Sequence, residues 1–384
     1  MIDTHHIKPL VLKSFLPISL IFSLPFWAQC RKKIIRWMIL AIGTLMWQQG
    51  AFSQDIHFSQ IYEAPLLINP ALTGKFNGDH RVILNYKDQW GSVTTGAPYR
   101  TEALSFDMGI LKKKWDNSFL GAGLFLYNDQ AGDTKMGTIK ANVSLSGILI
   151  LDNQNVISAG LQGGFAQRSV DASQMRWDNQ FDGTGHNSAL SSGEVNSYNE
   201  SFLFGDAAAG ISWSFGTDNA TITSNDQFKV NAGLAFFHIN RPKQKFGVIE
   251  KMYSKLIAHA GSHIGLKNTN IALKPQFLFM LQGPATEVNV GIMARYTIRE
   301  ESRFTGIFKE TALSMGGYLR VGDAFVPAIL FEMGSFAVGI SYDINISRLT
   351  VASNARGGIE IMLRFTNPNP FRYGRGTKSD VKFL

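Results

Sequence analysis

Two histidines four residues apart, His259 and His263 in "LIAHAGSHIGL", are the first place where this sequence could hold a metal. On a helix that spacing would stack them on one face. The segment alternates like a strand, however, and four residues of strand rise about 13 Å. One ion cannot bridge that gap, so no metal site is expected here. "GAGLF" (121–125) looks like a glycine-rich phosphate loop. It lies within a strand-like stretch, with no following helix and no Lys-Ser/Thr pair, so a close-packed strand is expected instead. Hydrolytic chemistry would need an activated nucleophile, and no G-x-S-x-G elbow is present. His186 and His238, with Asp178, Asp182 and Asn240 near the same rim, have the composition of an ordinary loop. The stretch 175–194 alternates Asp with Asn and Gly in the manner of a calcium loop, without EF-hand spacing. The single cysteine, Cys30, lies in the leader, which excludes a disulfide framework and a thiolate cluster. The sequence therefore points away from catalysis, with no catalytic, cofactor-binding or metal-ligating residue expected.

The elements that would position these groups have a period of two. In "SFAVGISYDIN" (335–345), Phe336, Val338, Ile340, Tyr342 and Ile344 share one face, opposite Ala337, Gly339, Ser341, Asp343 and Asn345. "TIKANVSLSG" (138–147), "FKVNAGLAFFH" (228–238), "EVNVGIMARYTIR" (287–299) and "GIEIMLRF" (358–365) repeat the pattern. These runs reach about ten residues or more, the length a tilted strand needs to cross a bilayer, and their polar faces are rich in Gly, Ser and Asn. The composition agrees, with 37 Gly, 28 Phe and only 17% charged residues.

The expected fold is all-β, a transmembrane antiparallel barrel of about fourteen strands. The strands centre on Leu84, Leu104, Leu124, Val143, Leu161, Ala209, Ala232, Ala260, Phe277, Ile292, Gly316, Ala328, Gly339 and Ile361. An even count puts both strand termini on the periplasmic side. Residues 168–200 and 346–355 then become extracellular loops, and 151–155 and 267–270 become periplasmic turns. The tight link at 321–323 falls on the outer side. Tyr86, Trp90, Tyr99, Trp115, Tyr127, Trp213, Phe215, Tyr296 and Tyr342 are placed to form interfacial girdles.

Residues 1–53 read as a leader containing an export signal. Arg31, Lys32, Lys33 and Arg36 form the positive region, 37–47 the apolar region, and Ala51-Phe52-Ser53 the cleavage site before Gln54. The earlier stretch 9–28 is interrupted by Lys13, Pro17 and Pro25, and so makes a poor spanning helix. The formal net charge of +8 is concentrated in this leader. The rest of the chain keeps 31 basic against 28 acidic residues, which gives no reason to invoke nucleic acid. The expected organisation is a leader (1–53), an N-terminal arm or plug (54–79), the barrel (80–365) and a basic periplasmic tail (366–384). In that tail Arg372, Arg375, Lys378 and Lys382 stand against Asp380.

Between signal and first strand lies "QDIHFSQIYEAPLLINPALTG" (54–74), neither a clean helix nor a clean strand, followed by "HRVILNYKDQW" (80–90). Phe58, Ser59, Gln60, Pro65, Asn69, Pro70, Ala71 and Gly74, then Gln89 and Trp90, resemble the opening of the PorP/SprF family. "GISYDINISRL" (339–349) and "GGIEIMLRF" (357–365) resemble its last two strands. The resemblance implies a non-enzymatic outer-membrane protein of the type IX secretion and gliding machinery of Bacteroidetes. It implies work with secretion components and a secreted surface protein such as an adhesin, and no cofactor. The residues also allow a diffusion channel or a transporter of hydrophobic ligands, because a polar inward face is common to porins. Asn-Pro favours a turn, so the opening segment is either a periplasmic arm or a plug of the lumen, with Ile61, Leu66, Leu67 and Ile68 packed on the wall or on a neighbour.

Overall fold

The computed structural model describes residues 55–367 except 92, 95–98, 113, 116, 172–174, 194–200, 218–224, 246–249, 301–308 and 349. The leader and the basic residues of the tail lie outside the described residues. Fourteen strands close into one antiparallel barrel. They are β1 (His80–Gln89), β2 (Tyr99–Ile110), β3 (Ser118–Ala131), β4 (Met136–Ile150), β5 (Asn155–Ser169), β6 (Ser201–Thr217) and β7 (Phe228–Phe237), then β8 (Lys255–Gly265), β9 (Ile271–Gln282), β10 (Ala285–Arg299), β11 (Thr311–Arg320), β12 (Ala324–Met333), β13 (Phe336–Asn345) and β14 (Arg356–Thr366). Each expected strand centre falls inside one of them. The ring closes where β1 meets β14, with Arg81 opposite Thr366 and Gln89 opposite Gly358. No described helix is long and apolar enough to cross a membrane.

The alternation expected from sequence sets the wall's two faces, and the apolar one points outward. Leu161 is 67% exposed and Leu203 68%, while the inward residues Asn85, Asp107, Ser144 and Glu360 are buried. A water-soluble protein cannot tolerate a continuous apolar exterior around a polar interior; a barrel in hydrocarbon requires it. Two prolines interrupt the wall. At Pro275 the β8–β9 register skips from Gly261↔Gln276 to Ile264↔Leu273, because a proline has no N–H for the ladder. Pro327 does the same between β12 and β13, where pairing resumes only at Ala328↔Ser341.

We call the end where β1 begins and β14 finishes the lower rim. The links 151–154 and 266–270 share that rim, while the upper ends of β5 and β6, the link 321–323, and the end of β13 with the start of β14 lie at the upper one. Among the expected girdle aromatics, Tyr99, Trp115, Trp213, Tyr296 and Tyr342 are exposed, but Tyr127 is not. It occupies an inward position of β3 and packs with Phe125 against residues of the opening segment. Alternation in β3 puts odd-numbered residues inside, and an aromatic at such a position serves the core rather than the interface.

Candidate functional site, a segment threaded through the barrel

Residues 55–79 run inside the barrel. Asp55 lies near the upper rim, where it pairs with Lys255, the first residue of β8, and its N–H donates to Gln282, the last residue of β9. The chain leaves at the lower rim, where Asp79 and Asn367 clamp the roots of β1 and β14 (Asp79 N to Asn367 O, 3.2 Å). We refer to this segment as the plug.

Its shape follows from its prolines and asparagine. Pro65 and Pro70 each occupy the first turn of a short helical piece, Pro65–Ile68 and Pro70–Leu72, where a missing N–H costs nothing. Asn69 separates the two and caps the second, its Oδ1 accepting from Ala71 N at 2.8 Å. The other end of the amide reaches the wall, and Nδ2 donates to Ile211 O (2.9 Å) and Leu234 O (3.3 Å). Gly74 turns the chain with φ +69°, and a Cβ there would stand 2.7 Å from Met108 O. Its N–H donates to Asp107, which also takes Nε and Nη2 of Arg81.

The wall is moulded to the plug by inward glycines. A Cβ on Gly121 would meet Thr73 O, one on Gly160 the Pro70 carbonyl, one on Gly210 Asn69 Oδ1, one on Gly261 Tyr62 and one on Gly339 Gln60. In each case the absent side chain is what lets the plug approach the strand. Apolar contacts fill the rest. Phe58 and Leu66 pack with Phe125 and Tyr127, while Ile61 and Ile68 join a cluster with Ile83, Ile257, Leu278 and Met362. Leu67 is partly buried beside the first cluster.

Charge holds the plug at three levels. At the top, His238 bridges Asp55 (2.6 Å) and Asp206 (2.8 Å), and Lys140 also pairs with Asp206. In the next tier, Glu360 accepts from two successive backbone amides, Ser59 N (2.8 Å) and Gln60 N (3.0 Å). The Ser59 hydroxyl donates to Asp343, which in turn pairs with Arg320. Lower down, Glu63 takes Arg364 through both oxygens (2.8 and 2.7 Å), and Arg364 also reaches Glu332. Pairing compensates most of these buried charges, as burial demands.

Burial would raise the Asp55 carboxyl, but Lys255 and the hydrogen bond from His238 outweigh it and hold it well below the usual carboxylate range. A depressed folded pKa contributes stability that is complete above the unfolded value, about 3.9 for Asp, and is lost as pH falls through the folded one. Asp55→Asn should therefore flatten the acid limb of the unfolding profile. Comparing the heat-induced gel shift of the two proteins from pH 7 down to pH 3 checks this.

The residues singled out in sequence divide into two groups. Phe58, Ser59, Gln60, Pro65, Asn69, Pro70, Ala71 and Gly74 all lie buried in the lumen. Gln89 and Trp90 are elsewhere, at the upper end of β1, where Trp90 N donates to Gly357 O and its ring meets Tyr99 edge-on at 5.0 Å. The rim groups do not assemble. His238 is committed to two aspartates, Asn240 Nδ2 donates to Gly205 O, and His186 faces Gln180. Asp182 closes a local turn onto Thr184 and Gly185. His259 and His263 both face inward from β8, and the described residues contain no cluster of three or more His, Cys, Asp or Glu suited to a metal. Sequence reading missed Glu360, Asp343, Arg320, Glu63 and Arg364. A charged residue at an inward position of a strand was the available signal.

A family described as "Type IX secretion system membrane protein PorP/SprF" matches residues 50–365, which span both plug and barrel. The chain belongs to the PorP/SprF family. No curated protein matches it. Among solved structures it is similar to the toluene transporter TbuX of Ralstonia pickettii, with TM-score 0.43, 11% identity, and coverage of 79% of this chain and 92% of that one. It is also similar to the β domain of the Bordetella autotransporter BrkA (TM-score 0.38, 9% identity, 76% and 99% covered). A third is BamA from Haemophilus ducreyi lacking POTRA domains 1–3 (0.40, 10% identity, 76% and 70% covered).

Proposed function

We propose that this PorP/SprF barrel is a non-enzymatic part of the type IX secretion and gliding machinery, and that it assists the secretion or surface anchoring of a partner protein such as an adhesin. The observation that carries the reading is the plug. A lumen occupied by the chain itself, with polar contacts to strands all around the wall from β1 to β14, suits a scaffold better than a pore. Eight of the ten motif residues, Phe58 to Gly74, are spent on that plug, which leaves partner contacts to the rims and to the tail. In this reading the protein is exported by a cleaved signal and sits in outer-membrane lipid through its apolar exterior, with secretion components and a surface protein as partners.

The test is an affinity pull-down from detergent-solubilised outer membranes, combined with single-channel recording on the same preparation. Recovery of type IX components or a surface adhesin, without conductance, supports the proposal. Steady conductance from a protein that purifies alone would replace it with a diffusion channel or a hydrophobic-ligand transporter.

A further inference from the structure

Among the fully buried lysines and arginines described, Lys75 is the one without an ion pair; Lys87, Lys140, Lys255 and Arg320 each have a carboxylate. Lys75 is 6% exposed. Among the described residues its ammonium makes one hydrogen bond, to the Ser212 hydroxyl at 2.8 Å. A buried ammonium without a counter-ion is costly.

Its surroundings are rich in donors. Ser212 on β6, Gly233 on β7 and His259 on β8 lie in one row across the wall, with Ser214, Asn231 and Gly261 in the next inward row. Asn231 Nδ2 donates to Ser214 Oγ (2.8 Å) and Ser212 Oγ (3.3 Å). His259, 3% exposed, can be assigned a tautomer. Asn69 Oδ1 is committed to Ala71 N, so Nδ2 is the end that faces the ring; an amide nitrogen cannot accept, and His259 Nε2, at 3.1 Å, shares the two Nδ2 hydrogens with the Ile211 and Leu234 carbonyls. The proton therefore sits on Nδ1, which is buried and has no partner. The Tyr62 hydroxyl, over Gly261 and edge-on to His259, is also buried without a partner. The unsatisfied acceptor nearby, Asn231 Oδ1, is neutral and does not offset a charge.

We propose that the lower lumen, between plug and wall, holds a binding site for one small inorganic anion, the size of chloride, with Lys75 as counter-charge and Tyr62, His259 and Ser212 as donors. The closure of the site sets the size of the ligand, since neither Lys75 nor His259 is open enough to admit a nucleotide or a peptide. The anion would bridge plug and wall and add to the hold on the 55–79 segment. The site is independent of any secretion role.

The test uses the purified full chain in detergent micelles at pH 6.5, with sodium chloride exchanged for sodium gluconate at constant ionic strength. Chloride should raise the unfolding temperature saturably, by about 3 °C at a hundredfold excess over its dissociation constant. Lys75→Met should abolish that dependence and be more stable than wild type in gluconate. Tyr62→Phe should keep the dependence with an affinity several-fold weaker. Equal unfolding temperatures of wild type in the two salts, or an unchanged chloride response in Lys75→Met, would overturn the site. If Lys75→Met does not assemble, crystals of the wild type in bromide decide the matter. An anomalous peak beside Lys75 Nζ is expected, and its absence rejects the proposal.

Discussion

Gly160→Val is expected to drive the plug out of the lumen. The new Cβ would run into the Pro70 carbonyl and stand 2.5 Å from Ala71 N. Both are backbone atoms of a capped turn, so no side chain can swing aside. Retreat is blocked because Asn69 is tied to Ile211 and Leu234 on the same side, and the Ser158 hydroxyl donates to Ala71 O at 2.8 Å. Overpacking of this kind costs about 1–3 kcal/mol, and any escape also forfeits the Asn69 contacts. The wall itself has no reason to fail, since valine suits a strand and the outward face is untouched. The released segment should become cleavable by trypsin after Lys75, and planar-bilayer recordings should show steady steps where wild type shows none. Gly163→Val on the same strand is the control. Its Cβ would find no atom nearer than 4.0 Å, and the plug should stay protected. If Gly160→Val remained closed and trypsin-resistant, the wall glycines would not be what seats the plug.

The barrel was legible in sequence because its information is local. An alternating run such as 335–345 declares its two faces without reference to any other part of the chain, and fourteen such runs imply closure. The turn at Asn69-Pro70 was legible for the same reason, since Asn-Pro sets backbone angles within a few residues. What could not be read depends on which residues the closed ring brings opposite one another. Ser59 meets Glu360 across a sequence separation of 301 residues. Gly160 reads as a weak strand position until Pro70 is placed against it. Tyr127 was assigned to the interface because an aromatic in a strand fits either face, and its parity within β3 decides only after the register with β2 and β4 is known. Whether Lys75 has a counter-ion depends on which wall residues surround it, and among the described residues it has none.

Asn69→Asp is expected to undock the plug more severely than Asn69→Ala, although aspartate is an equally good helix cap. As a cap alone, Asn69 would need only an acceptor for Ala71 N, and a carboxylate supplies one. The wall asks for the opposite polarity. Ile211 O and Leu234 O are both acceptors, and they meet Asn69 through its Nδ2. Aspartate would hold a charged oxygen against two carbonyl oxygens at a fully buried position, with only the ring of His259, 3.1 Å away, able to pair with it by taking up a proton, and a poorly compensated buried charge costs several kcal/mol. Alanine loses the same hydrogen bonds, about 1 kcal/mol each, but it adds no repulsion and leaves only a small void. The expected order of unfolding temperature and of protection from trypsin at Lys75 is therefore wild type, then alanine, then aspartate. Asn69→Asp will be partly relieved below neutral pH, as the carboxyl takes up a proton and regains a donor for one of the two carbonyls. If aspartate proved as stable as wild type at pH 8, the Asn-Pro-Ala motif would be a local cap and nothing more, and the plug's seat would have to rest on the ion pairs of Glu63 and Asp55 and on the backbone amides that Glu360 accepts.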